Sequence, residues 1–235
     1  MRVAAVQFKA EKGRRRRSLS ALAGLAAEAA SRADLVVLPE MAATGYLFPT
    51  PHAARRVAEP AAGPTFDVLA PVAAANRCWL VAGFPEIDRD QLFNSALVID
   101  PAGALRFVYR KTLLFAPDEW WALPGDSGYR AFDTDAGRFG VGICMDLNDD
   151  GFVAWCAGAD IDAIAFPTNW VQEDVDVWAY WRARLLGVDA ALVAANTYGT
   201  EGPVTFTGRS AVLQRGVVLA SAPLIGNAVI RADTH

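Results

Sequence analysis

At 235 residues and 53 % hydrophobic composition the chain can bury a sizeable core, and one domain over 1–235 is the natural expectation. Its 22 basic and 26 acidic residues leave a net charge of −4, which argues against binding nucleic acid through bulk positive charge. No apolar run reaches the ~18–20 residues of a membrane span, and a full strand precedes the Ala/Leu-rich stretch at 19–30, so neither a span nor a signal peptide is expected and a cytoplasmic protein is the simplest reading.

In chain order, Val3–Phe8 reads as a strand. The basic run Arg14 to Arg17 reads as a solvated loop leading into a helix over Ser18–Ala33, with Ser18 as its cap. Leu35–Leu38 is a buried strand. A helix near Thr65–Asn76 contains Pro71, which is expected to kink or end it. Strands follow at Trp79–Phe84, Ser95–Asp100 and Leu105–Arg110, the last two joined by a turn at 101–104. The second half gives a strand at Phe139–Ile143, a helix near Phe152–Gly158 and a strand at Asp162–Phe166. A helix at Val175–Asp189 and strands at Ala191–Ala195, Arg209–Gln214, Val217–Ser221 and Asn227–Arg231 complete the series. Both halves run strand, helix, strand, helix, then mostly strands. That order predicts an α/β fold with two mixed sheets face to face and helices outside both, a four-layer α-β-β-α sandwich. Two buried faces per sheet explain the near-continuous apolar strands.

Three cysteines, Cys78, Cys144 and Cys156, form no C-x-x-C pair, so neither a disulfide framework nor a zinc site is expected. Only two histidines occur, His52 in a Pro-rich loop and His235 at the last position. A His-dependent triad would have to use one of them, so any base for a cysteine is better sought among carboxylates. Lysines number three, Lys9, Lys12 and Lys111, against 19 arginines.

Cys144 stands where the apolar run Phe139-Gly-Val-Gly-Ile143 gives way to Asp146-Leu-Asn-Asp-Asp150. A cysteine inside an apolar strand is usually packing; one at its carboxyl end is a candidate nucleophile. Glu40 ends Leu35-Val-Val-Leu-Pro-Glu40, and Lys111 ends Leu105-Arg-Phe-Val-Tyr-Arg-Lys111. Three strand ends can bring a carboxylate, an ammonium and a thiol to one sheet edge, a set suited to acyl transfer at a carbonyl or nitrile carbon.

The stretches 34–46, 109–115 and 140–146 around these residues resemble the three signature blocks of the nitrilase, or carbon–nitrogen hydrolase, superfamily. Val3-Ala-Ala-Val-Gln-Phe8, Asn94-Ser-Ala, Pro124-Gly-Asp126, Arg182-Ala-Arg184 and Ala194-Ala-Asn196 resemble its supporting pieces, in order. The resemblance implies the four-layer fold and hydrolysis of non-peptide C–N bonds, most simply in a small-molecule amidase. Glu40 would be general base, Lys111 the oxyanion donor and Cys144 the nucleophile, with a thioester intermediate and no cofactor or metal. The Met145 backbone N–H would be a second oxyanion donor. A further glutamate that hydrogen-bonds the lysine is implied in the following loop, which selects Glu119, with Asp118 the competing carboxylate. Tyr46, Asn169 and Trp170 would line the substrate pocket, although each could equally be loop packing.

Other features read more plainly. Asp146 to Gly151 starts like a calcium loop, but Ala157 stands where a bidentate Glu belongs and a strand, not a helix, leads in, so calcium is rejected. Asn148 replaces the arginine most relatives carry there. Cys78 and Cys156 read as packing residues. The resemblance implies a homodimer or larger oligomer, with Val177, Trp178, Trp181 and Leu185 forming an apolar stripe that is either an interface or the inner face of a helix. Nitrile and N-carbamoyl hydrolysis are alternatives on the same machinery. A metal-dependent phosphoesterase or a non-catalytic binding protein on a two-sheet sandwich is the alternative of another class.

Overall fold

The structure, a computed structural model, describes residues 1–234; His235 lies outside them. The first half contains β1 (Arg2–Gln7), α1 (Arg15–Ala30), β2 (Leu35–Val37), α2 (Pro51–Arg55), α3 (Pro64–Asn76), β3 (Trp79–Asp88), β4 (Gln91–Ile99), β5 (Leu105–Arg110) and the single turn α4 (Ala116–Glu119). The second contains β6 (Arg130–Thr134), β7 (Gly137–Val141), a 3-10 turn over Cys144–Asn148, α5 (Asp150–Gly158), β8 (Ala163–Pro167), α6 (Val177–Arg184) and β9 (Ala191–Ala195). A hairpin of β10 (Tyr198–Glu201) and β11 (Val204–Thr207) follows, then β12 (Ala211–Gln214), β13 (Val217–Ser221) and β14 (Ala228–Asp233).

Two six-stranded mixed sheets result, in the orders β14-β1-β2-β3-β4-β5 and β6-β7-β8-β9-β12-β13. Read in those directions the sheets share one pattern: an antiparallel pair, two parallel pairs and two antiparallel pairs. The edge place that β6 fills from the adjoining hairpin is filled in the first sheet by β14.

Strand alternation sorts the core into layers. Val3, Ala5, Leu35 and Val37 face the second sheet, meeting residues such as Phe139, Val141 and Val193. Ala4, Val6, Val36 and Leu38 face outward and are covered by Leu22 and Ala26 of α1 and by Leu69 and Ala73 of α3. On the far side, α5 and α6 cover the second sheet, with Trp181 edge-on to Phe166 at a centroid distance of 6.2 Å. The expected α-β-β-α sandwich is therefore the observed fold.

Several boundaries differ from the sequence reading. Helix α1 begins at Arg15, so the basic run is its first turn; Arg14 and Arg17 pair with Glu11, and Arg15 approaches Glu59. Pro71 neither starts nor ends α3, which runs on to a left-handed cap at Arg77. Helix α6 is shorter than expected, and its apolar stripe points inward: Val177 and Trp181 are buried, while Trp178 and Leu185 are half-buried against the same core. Strand β6, the β10–β11 hairpin and α2 were not anticipated. Among the described residues no helix is long and apolar enough to cross a membrane.

Candidate active site

Each of the three strand ends delivers its side chain for a local reason. Beyond β2 the chain continues along β3, with Leu38 N–H donating to Val81 O at 2.8 Å and Gly83 N–H to Pro39 O at 3.0 Å. Gly83 is required there, since a Cβ on it would stand 2.4 Å from the Glu40 Cα. Lys111 is the first residue after β5, and its N–H donates to Asn94 O at 2.8 Å. Cys144 opens the 3-10 turn after β7 with φ +43°, a left-handed conformation that a non-glycine residue holds only when its surroundings enforce it. All three are buried, at 1 %, 0 % and 8 % exposure.

Lys111 Nζ donates to Glu40 Oε1 at 2.9 Å and to Asp118 Oδ2 at 2.6 Å. Asn94 Nδ2 donates to the same two oxygens, at 2.7 and 3.2 Å. The other Glu40 oxygen accepts from Asn169 N–H at 2.9 Å. Burial pushes the Glu40 carboxyl up, opposed by Lys111 and reinforced by Asp118. Burial would lower Lys111, but Asp118 and Glu40 more than offset it and hold the ammonium above its ordinary range. Burial and then Glu40 push the Cys144 thiol up, against the pull of Lys111, the Thr168 hydroxyl and Asn169 N–H. Cys78 and Cys156 are pushed up to about 12, chiefly by burial, and lie apart from these charges.

The carboxylate that meets Lys111 is Asp118, not Glu119, and this corrects the expectation drawn from the resemblance. In α4, successive residues are turned by roughly 100°. Asp118 therefore points into the site at 1 % exposure, while Glu119 lies on the exposed face beside Trp120.

Asp146, passed over in the sequence as part of a rejected calcium loop, joins the lysine and cysteine segments. Its Oδ1 accepts from Thr112 N–H and Leu113 N–H at 2.9 Å and from Thr112 Oγ1 at 2.8 Å. Its Oδ2 accepts from Tyr109 Oη and Ile143 N–H, both at 2.8 Å. Five donors occupy this fully buried carboxylate and fix the Cys144 turn relative to the chain around Lys111. Among the described residues, no group of three or more His, Cys, Asp or Glu side chains is placed to hold a metal ion. His52 is exposed on α2, away from the three charged groups.

A pocket of about 160 Å³ opens on Cys144, and Met145, Asn169 and Trp170 contribute to its wall together with Phe115, Asn148 and Tyr180. Tyr46 is not part of that wall. It is buried with its ring centroid 6.0 Å from Lys111 Nζ, on the side of a second recess of only about 10 Å³ shared with Glu40 and Glu201. The β10–β11 hairpin holds this loop: Glu201 accepts from Tyr46 N–H at 3.0 Å and Leu47 N–H at 2.9 Å. A polar chain supports the other wall. Trp170 N–H donates to Asn196 Oδ1, Asn196 N–H to Ser210 Oγ, and Ser210 N–H to Gln7 Oε1, each at 2.9 Å. Glu201, Ser210 and the role of Gln7 escaped sequence reasoning because each acts on a residue more than ten positions away.

The sequence matches the carbon-nitrogen hydrolase family over residues 2–233. It is 35 % identical over 181 residues to a nitrilase of Pyrococcus abyssi, covering 77 % of this chain and 68 % of that protein. It is 29 % identical over 171 residues to the protein N-terminal amidase of Saccharomyces cerevisiae, covering 59 % of this chain and only 37 % of that protein. The fold resembles that of the amidase from Nesterenkonia sp. AN1, solved as a glutamate-and-cysteine double mutant in complex with acrylamide. The TM-score is 0.89 at 21 % identity, over 100 % of this chain and 90 % of that one.

Proposed function

The chain belongs to the carbon–nitrogen hydrolase family, and from that premise we propose that it is a small-molecule amidase with Cys144 as nucleophile, Glu40 as general base and Lys111 as oxyanion donor. The observation that carries this reading is the Glu40–Lys111 pair acting on a strained Cys144 that opens on a pocket. A thiol pushed up by burial holds almost no free thiolate at neutral pH, so attack must be coupled to proton removal. Glu40 takes the thiol proton as Sγ bonds to the amide carbon. Lys111 Nζ, with the Met145 N–H, stabilises the developing oxyanion. The Glu40 proton passes to the leaving nitrogen as the C–N bond breaks, releasing ammonia or an amine and leaving a thioester. Water then gives a proton to Glu40 as its oxygen adds to the thioester carbon; the C–S bond breaks, the Glu40 proton returns to Sγ, and the carboxylic acid product leaves.

Asp118 has a separate duty in this scheme. Glu40 is neutral while it carries the thiol's proton, and Asp118 then remains to keep Lys111 charged. A pocket of about 160 Å³ is small and suits a short acyl chain. The nitrilase similarity favours nitriles as a second substrate class for the same residues.

We further propose a homodimer. The α6 stripe packs largely against the core, so the interface is sought at exposed Leu224, Ile225, Val217 and Leu219, which supply apolar surface on the second half. A monomer across micromolar concentrations in light scattering would refute the assembly. For the chemistry, the test is ammonia release across amides, carbamoyl compounds and nitriles, with mass spectrometry of the trapped acyl-enzyme. Acylation at Cys78 or Cys156, or at no cysteine, would refute the assignment.

A further inference from the structure

The pocket beside Cys144 is charged on one side only. Among the described residues, Glu173 is the one member of its wall with a formal charge, and it is exposed to solvent. Its backbone is well anchored. Val171 bridges to Phe206 of β11, and Gln172 N–H donates to Thr205 O at 2.7 Å. Nearby, Asp176 caps α6 and pairs with Arg209. Glu173 and Asp174 have no such partner among the described residues, so the segment 172–176 keeps a net negative charge.

The rest of the wall suits a cation as well. Trp170 and Tyr180 present neighbouring rings, with centroids 5.5 Å apart and planes at 48°. Aromatic faces attract an ammonium through their quadrupoles. Tyr180 Oη donates to Asn148 Oδ1 at 2.7 Å, which fixes that amide in the wall. Asn169, another residue of this wall, keeps its Oδ1 buried without a hydrogen-bond partner. Deeper in, the Lys111 ammonium already faces two carboxylates. It offers no unmatched positive charge to draw in an anionic acyl group.

We propose that this pocket selects short amides whose acyl part carries a protonated amino group, with Glu173 as the counter-charge at the mouth. The inference rests on the amidase reading of Cys144 and names its substrate class. Amides bearing a carboxylate at the same position are disfavoured, because they would bring like charge against Glu173 and find no cation on the wall. Glu173 is a specificity residue here and takes no part in bond making.

Two measurements separate this inference from the amidase reading itself. The first compares kcat/KM for three amides of equal length, ending in methyl, ammonium or carboxylate, in wild type and Glu173→Gln. Wild type should prefer the ammonium amide to the carboxylate amide, and Glu173→Gln should reduce the ammonium-to-methyl ratio by about five- to tenfold. The second needs no turnover. Methanethiosulfonates bearing an ethylammonium or an ethylsulfonate form mixed disulfides with Cys144, expelling methanesulfinate, and mass spectrometry follows each rate. Relative to their rates with a small thiol in solution, the cationic reagent should be favoured several-fold in wild type, with that normalised ratio falling toward one in Glu173→Gln and at high salt. A reagent ratio that Glu173→Gln leaves unchanged, or a preference for the carboxylate amide, overturns the inference. Charge selection of reagents without turnover of any amide would instead uphold the selectivity and overturn the amidase reading.

Discussion

Lys111 Nζ sits closer to Asp118 Oδ2, at 2.6 Å, than to Glu40 Oε1, at 2.9 Å. The lysine thus keeps a carboxylate partner whether or not Glu40 is carrying a proton. Asp118→Asn removes that partner's charge but little of its shape. Its kcat should fall by roughly one to three orders of magnitude, about 1.4–4 kcal/mol of transition-state stabilisation. Glu119→Gln alters an exposed carboxylate outside the site and should stay close to wild type. Steady-state kinetics on both variants check this. A larger loss in Glu119→Gln would remove Asp118 from the scheme.

The pH profile should carry the imprint of Glu40. Burial holds its carboxyl above the ordinary range, Lys111 opposes that, and Asp118 adds to it. A protonated Glu40 accepts no proton, so kcat/KM should be lost as pH falls through its value, on a limb above the ~4.3 of a free glutamate. Asp118→Asn removes a charge that raises Glu40, so the limb should move to lower pH in that variant. Lys111 is held above its ordinary range, so its deprotonation should not limit the mildly alkaline side. An acid limb that does not move in Asp118→Asn would argue that some other group titrates.

Cys144→Ala should abolish turnover while thermal melting stays within a few degrees of wild type. Iodoacetamide should label Cys144 fastest, since it opens on the pocket with Glu40 as its base, whereas Cys78 and Cys156 are packed inside the core clusters. Glu40→Gln should slow that labelling at neutral pH, because nothing then removes the thiol's proton. Rapid labelling in Glu40→Gln would show that Cys144 ionises without it.

Asp146→Ala should be a folding lesion before it is a catalytic one. It strands five donors around a buried site. A loss of about 3 kcal/mol or more is expected, or roughly 6–12 °C in Tm for a chain of this size. Calorimetry reads it directly. A Tm unchanged from wild type would mean that the Cys144 turn does not depend on this carboxylate.

Most of the framework was legible because it rests on local patterns. Leu35-Val-Val-Leu ending in Pro-Glu40, and Phe139 to Ile143 ending in Cys144, each display an apolar strand and its polar exit within a few residues. What escaped depends on angle or distance. Asp118 and Glu119 are adjacent in sequence and chemically alike, and only the turn of α4 decides which faces Lys111. The β10–β11 hairpin is short, and its alternation is confined to the four residues Val204–Thr207, too brief a pattern to stand out, yet Glu201 on it fixes the loop bearing Tyr46. Asp146 gathers donors from two segments more than thirty residues apart, which no local motif reveals. Helix α6 displays its stripe plainly, but only packing shows that Trp181 turns toward Phe166.

The register of β1 against β14 runs from Arg2 opposite Asp233 to Gln7 opposite Ala228. During synthesis, β1 leaves the ribosome more than two hundred residues ahead of that partner. Until β14 arrives, one rim of the first sheet offers bare N–H and C=O groups to any passing strand. Glu40 and Lys111 grow from this sheet and Cys144 from the other, so the reacting groups meet only after both halves have been made. Such distant closure predicts slow, late acquisition of activity on refolding, trailing the recovery of helical signal, and a growing tendency to aggregate as chain concentration rises.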